Sequence, residues 1–201
     1  MKRKFDRVYQ FKITLKRIKP PIWRRIQVPE TYTFWDLHVA IQDVMGWQDY
    51  HLHRFEIVNP ATGALKLIGL PSDDDDWSRA TLSGWRQKIA KWFTPENKVA
   101  VYFYDFGDGW EHEVELEKIL SRETGVRYPV CLGGKRACPP EDCGGVSGYE
   151  RLLEIISNPD DDEYEEMLTW LGGKFDPEHF DPKKVVFDDP AIRFKKAFEE
   201  E

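Results

Sequence analysis

Within its first 70 residues the chain changes hydrophobic period twice, and no other feature restricts its fold as much. Tyr9, Phe11, Ile13 and Leu15 alternate with Gln10, Lys12 and Thr14, the period of a half-buried strand. After Pro20-Pro21 a second strand is predicted, with Ile22, Arg24, Ile26 and Val28 on one face and Trp23, Arg25 and Gln27 on the other. The period then becomes helical. Thr33 stands three residues before Asp36 as a capping box, Phe34, Leu37, Ile41, Val44 and Met45 follow at helical spacing, and Gly46 supplies the stop. His51 to Val58 and Ala64 to Leu70 then read as two strands about an Asn59-Pro60-Ala61-Thr62-Gly63 turn. A β-β-α-β-β order predicts an α+β fold, with the helix across a mixed or antiparallel sheet in a β-grasp-like N-terminal half.

The remainder extends that scaffold. Ser72 to Asp76 is an acidic run, read as a solvated loop and, over 72–77, as a hinge. Leu82, Trp85, Ile89, Trp92 and Phe93 predict a short amphipathic helix. Val99 to Tyr104 and His112 to Leu120 predict a second β-hairpin. On its return strand His112, Val114 and Leu116 face inward while Glu113, Glu115 and Glu117 face out. An irregular stretch from Cys131 to Gly145 leads to C-terminal helices. One is opened by a Ser147/Glu150 capping box and ended before Pro159; another, carrying Tyr164, Met167, Leu168 and Leu171, is stopped by Gly172-Gly173; a charged one closes the chain. The 201 residues are expected to form a single compact domain.

Hydrophobic residues make up 41% and aromatic residues 14% of the chain, which excludes a disordered polymer. No apolar run approaches the roughly 20 residues that span a bilayer. The basic start at Met1-Lys2-Arg3-Lys4 leads into no apolar stretch that would make a signal peptide. A cytoplasmic protein with no membrane partner is expected. Three cysteines, Cys131, Cys138 and Cys143, cannot pair evenly, so in a reducing compartment they are free thiols or metal ligands. The net charge is −7, yet residues 1–28 hold ten Lys or Arg against Asp6 alone. Any nucleic-acid contact would therefore be confined to that N-terminal face.

Five constellations could carry chemistry. Cys131, Cys138 and Cys143, with His112 as a fourth ligand, offer thiolates and an imidazole to a tetrahedral zinc. Asp105, Asp108 and His112 frame a Gly-rich hairpin tip that would suit a metal-dependent hydrolase or nuclease-like enzyme; turn chemistry alone also explains these residues. His51-x-His53 would project two rings from one strand face, with His38 or His112 within reach. Arg136, Glu141 and Asp142 around Pro139-Pro140 form either a charge network or a binding rim. Trp23, Arg24, Arg25 and Trp47 could stack bases and neutralise phosphates, or pack on the sheet with Arg25 snorkelling beside Trp23.

Four ordered stretches bear a family resemblance. They are Pro21-Ile22-Trp23-Arg24-Arg25-Ile26; Leu37-His38 through Met45-Gly46-Trp47 with His51-Leu52-His53; Tyr104-Asp105-Phe106-Gly107-Asp108-Gly109-Trp110-Glu111-His112; and Cys131 to Gly145 continuing into Gly148-Tyr149 and Trp170-Leu171-Gly172-Gly173-Lys174-Phe175-Asp176-Pro177. Over residues 8–185 the chain resembles the plasmid pRiA-type ORF-three-like family. The resemblance implies a mobile-element setting, with transposon-passenger or resolvase-like labels on some members, and implies no defined activity. No Gly-flanked nucleophilic Ser in an Arg-rich setting is present to support a resolvase. The reading that follows is a non-catalytic binding or adaptor module for nucleic acid or protein, with a metal-dependent hydrolase and a structural zinc module as alternatives.

Overall fold

A computed structural model describes residues 5–71 and 80–198; the hinge expected over 72–77 lies outside them. The strands are β1 (Arg7–Leu15), β2 (Trp23–Pro29), β3 (His53–Val58), β4 (Leu65–Gly69), β5 (Leu82–Ser83), β6 (Val99–Tyr104), β7 (Trp110–Ser121) and β8 (Val130–Lys135). The helices are α1 (Phe34–Met45), α2 (Gly145–Ser157), α3 (Tyr164–Trp170) and α4 (Pro190–Phe198). The strands form one mixed sheet in the order β5-β4-β3-β6-β7-β1-β2-β8. All neighbours are antiparallel except β4 and β5. The α+β class expected from the periodicities is the one observed.

The two N-terminal hairpins, β1-β2 and β3-β4, are not neighbours. The β6-β7 hairpin stands between them, pairing β6 with β3 and β7 with β1. A contiguous β-grasp-like ββαββ sheet is therefore not formed. The later hairpin is what joins the two halves, because β7 pairs along both of its edges.

Helix α1 buries its apolar face against the sheet, where Phe11, Ile13, Phe34, Leu37, Ile41, Phe55 and Tyr102 are fully enclosed. Each such side chain contributes about 1.5–3 kcal/mol. The capping box is present in both directions: Asp36 N–H donates to Thr33 Oγ1 at 3.2 Å, and Thr33 N–H to Asp36 Oδ2 at 2.8 Å. Gly46 ends the helix at φ 87°, a value at home in glycine.

The helix expected over Leu82 to Phe93 is absent. That stretch is β5 followed by two single 3-10 turns, Gly84–Arg86 and Ile89–Lys91. Phe34 N–H donates to the Gln87 carbonyl and Ile89 N–H to the Tyr32 carbonyl, so backbone groups a helix would use are spent on the entrance to α1. Helix α2 begins at Gly145, ahead of the Ser147/Glu150 box, with Gly144 at φ 87°. The cause lies at the hairpin tip. Gly144 N–H donates to Asp108 Oδ2 at 3.2 Å, and any Cβ on Gly145 would collide with the Asp108 carbonyl. Helix α4 docks on α1: Trp35 Nε1–H donates to the Pro190 carbonyl, and Phe194 and Phe198 pack on Trp35 and Trp85. Among the described residues, no helix is long and apolar enough to cross a membrane.

Candidate functional site

Three loops converge at one end of the sheet: the exit of α1, the β6-β7 tip, and the β8-α2 connection. Trp47 Nε1–H donates to the Pro139 carbonyl, and Glu141 Oε1 accepts from Gln48 N–H and Tyr104 O–H. Asp105 N–H donates to the Leu52 carbonyl at 3.0 Å. Among the described residues, two sets of three His or carboxylate ligand atoms lie within 4.8 Å of one another: His38, Asp49 and His53, and His51, Asp105 and Asp142. Their acids Asp49, Asp105 and Asp142 all sit at left-handed φ of 63°, 53° and 56°, a conformation Asp tolerates better than most residues.

The first set is closed. His38 Nε2–H donates to Asp49 Oδ1 at 2.8 Å, leaving Nδ1 to accept from Tyr102 O–H at 2.8 Å. Tyr102 in turn accepts from Gln42 Nε2–H at 2.9 Å. His53 stacks on His38 with ring centroids 3.4 Å apart and planes 8° from parallel. Lone pairs of two stacked, parallel rings run side by side and do not converge on one ion. Arg193, 3.5 Å from Asp49, adds a fixed positive charge. Burial holds both imidazoles below the ordinary histidine range, His53 strongly so, although the Asp49 hydrogen bond opposes the shift at His38.

The second set is open. His51 Nε2 lies 2.9 Å from Asp142 Oδ1 and 3.6 Å from Asp105 Oδ2. Neither oxygen stands where the ring N–H could donate to it, and the nitrogen, sealed from solvent, has no hydrogen-bond partner. Asp105 Oδ1 accepts from Gly107 and Asp108 N–H, which is the turn-capping role, while Oδ2 faces His51. Tyr50, Leu52 and Phe106 stand exposed around this centre at 68, 57 and 52%. On the far side Asp142 borders a groove of about 340 Å³ between α2 and α3, floored by Leu152, Ile155, Met167 and the half-exposed Trp170.

The other expected residues are placed differently. Cys131, Cys138 and Cys143 are free thiols, and neither convergent set contains a cysteine or His112. Burial raises all three thiols, Cys143 to about 12 with Asp108 beside it. His112 is a core residue against Trp47; its Nδ1–H donates to the Tyr102 carbonyl at 3.3 Å, and burial pulls it down to about 3. It does not join Asp105 and Asp108 in a surface triad.

The Trp/Arg face is not an exposed surface either. Arg24 is buried, donates to the Val44, Trp23 and Lys135 carbonyls, and lies 3.7 Å from the Phe180 ring centroid. Trp47 and Arg136 are also buried. Arg136 donates to Glu178 Oε1 and the Pro20 carbonyl, not to Glu141 or Asp142. Arg25 is held bidentately by Glu117, with both contacts at 2.7 Å, and its guanidinium also lies over Trp23. Sequence reasoning missed Asp49 altogether and assigned Asp142 to Arg136. No local spacing signals either, since each meets its histidine only through the convergence of loops.

Comparison with known proteins fits this fold. The family model described as plasmid pRiA4b ORF-3-like protein matches residues 7–184. The uncharacterized protein y4hQ of Sinorhizobium fredii (strain NBRC 101917 / NGR234) is 32% identical over 166 residues, 82% of this chain and 81% of that protein. The crystal structure of MM3350, a protein of unknown function from Methanosarcina mazei Go1, is 55% identical with a TM-score of 0.86, over 92% of this chain and all of that one.

Proposed function

The chain belongs to the plasmid pRiA4b ORF-3-like protein family, and from that premise and the site geometry we propose that it is a non-catalytic binding module whose partner is a protein. The observation that carries the reading is the exposure of Tyr50, Leu52 and Phe106 on two loops tied by the Asp105–Leu52 backbone bond. Large apolar side chains grouped on fixed backbone are the composition of an interface core. The surrounding loops carry Asp49, Asp105, Asp108, Glu141 and Asp142 and no Lys or Arg over 48–52, 104–109 and 141–144. Arg54 lies over the Phe106 ring and Arg17 reaches the Gly109 carbonyl, but the loops themselves are acidic, so a partner apolar at its centre with basic groups at its rim fits better than nucleic acid. The neighbouring carboxylates Asp108 and Glu141 already accept backbone or tyrosine hydrogen bonds, so general-base chemistry has less support than binding.

A photo-crosslinking amino acid placed at Leu52 or Phe106 in cells tests this. A discrete adduct is expected from both positions, lost when Tyr50→Asp is added, and absent from a probe at the exposed Val186. Adducts equal at all three positions would remove the interface.

A further inference from the structure

We propose that His51 Nε2, Asp105 Oδ2 and Asp142 Oδ1 form a binding site for a divalent transition-metal ion, of the manganese or zinc type. Donor atoms about 2.0–2.2 Å from a common ion stand about 3.0 Å apart across an octahedral edge and about 3.4 Å across a tetrahedral one. The observed 2.9 and 3.6 Å bracket those separations. A hydrogen-bonded His–Asp pair would also give a short distance, but neither oxygen lies in line to accept from the ring nitrogen, which is sealed from solvent and has no hydrogen-bond partner.

Asp105 supplies a second and independent sign. Its side chain is nine-tenths buried, and both turn hydrogen bonds go to Oδ1. Oδ2 accepts none among the described residues and is aimed at His51. The buried atom without a partner is His51 Nε2, and a polar atom sealed from water is costly to leave without a donor or a cation. Asp105, Asp108, Glu141 and Asp142 give the local field the sign a cation needs, Asp49 being offset by Arg193.

The donor set of one imidazole nitrogen and two carboxylate oxygens favours manganese, iron, cobalt or zinc over the all-oxygen preference of calcium. Three protein donors leave coordination positions for water or a partner's side chain. The site stands whether or not Tyr50, Leu52 and Phe106 dock a protein, because its donors all come from this chain.

The test starts from full-length protein stripped with a chelator and titrated with manganese(II), read by the electron paramagnetic resonance signal of the free ion, and with zinc(II) by calorimetry. About one equivalent is expected to bind. Asp142→Asn, at an exposed position, and His51→Ala are each expected to weaken binding roughly tenfold or more, while Asp49→Asn keeps it. Circular dichroism checks each variant's fold; if His51→Ala does not fold, Asp142→Asn decides. No saturable binding by the unmodified protein, full affinity in Asp142→Asn, or loss confined to Asp49→Asn would each overturn the site. Crosslinking from Leu52 that persists in Asp142→Asn separates failure here from failure of the interface.

Discussion

His51 and His53 are two residues apart, yet they belong to opposite kinds of site. His53 opens β3 and points into the core, where it stacks on His38 beneath a chain of hydrogen bonds from Gln42 through Tyr102 to Asp49. His51 lies two residues before the strand and turns out toward Asp105 and Asp142. One histidine completes a packed interior. The other leaves its nitrogen without a partner between two acids. Residue type and near-identical position thus say little about role; what decides is whether the second nitrogen has been spent on the fold.

The largest effect that would break this contrast is on stability. His38→Ala removes a fully buried ring, the acceptor of the Tyr102 hydroxyl and the donor to Asp49 Oδ1, so a loss of about 2–5 kcal/mol in urea unfolding is expected. A loss under about 0.5 kcal/mol would mean the closed set is no more structural than the open one. The next effect is pH dependence. Folded His112 is held at about 3 against an ordinary 6.5, so below pH 6.5 the unfolded chain takes up a proton the folded one refuses. Stability present above 6.5 is then lost as pH falls toward 3, roughly 2 kcal/mol of it by pH 5 from this residue. Asp43, raised to about 6 from 3.8 by burial, acts in the opposite sense: its contribution is present at low pH and lost as pH rises through 6. Comparing unfolding midpoints of the natural chain and His112→Gln between pH 7 and 5 isolates the histidine, and parallel slopes would refute its buried neutral state. The smallest effect belongs to the open set. His51→Ala is expected to change stability by less than about 0.5 kcal/mol, and a core-sized loss would place that ring in the interior's service.

The strands and α1 were legible because their information is local. Alternation in Tyr9 to Leu15 and His112 to Leu116, and the Thr33/Asp36 box, are satisfied within a few residues of themselves. β8 was not, since Cys131 to Lys135 carries two glycines and no alternation, and it is a strand only because β2 offers it an edge. The sheet order was equally hidden, as nothing in β3 states that β6 and not β1 will pair with it. At the site, the capping role of Asp105 was readable from its turn, and the inward face of His112 from its strand. The alternation places Arg24 on the face of Ile22 and Ile26, but its charge suggests a phosphate-binding surface. In the fold it lies between Ile22 and Ile26 on the inward face, as the alternation predicts, and three carbonyls and the Phe180 ring replace water there.

The burial of Arg24 has a consequence for biosynthesis. The guanidinium sits on the second strand to leave the ribosome, whereas the ring that covers it, Phe180, is made more than 150 residues later. The Lys135 carbonyl that Arg24 also uses is likewise a late arrival, so the inward face of an early strand is closed by residues from the far end of the chain.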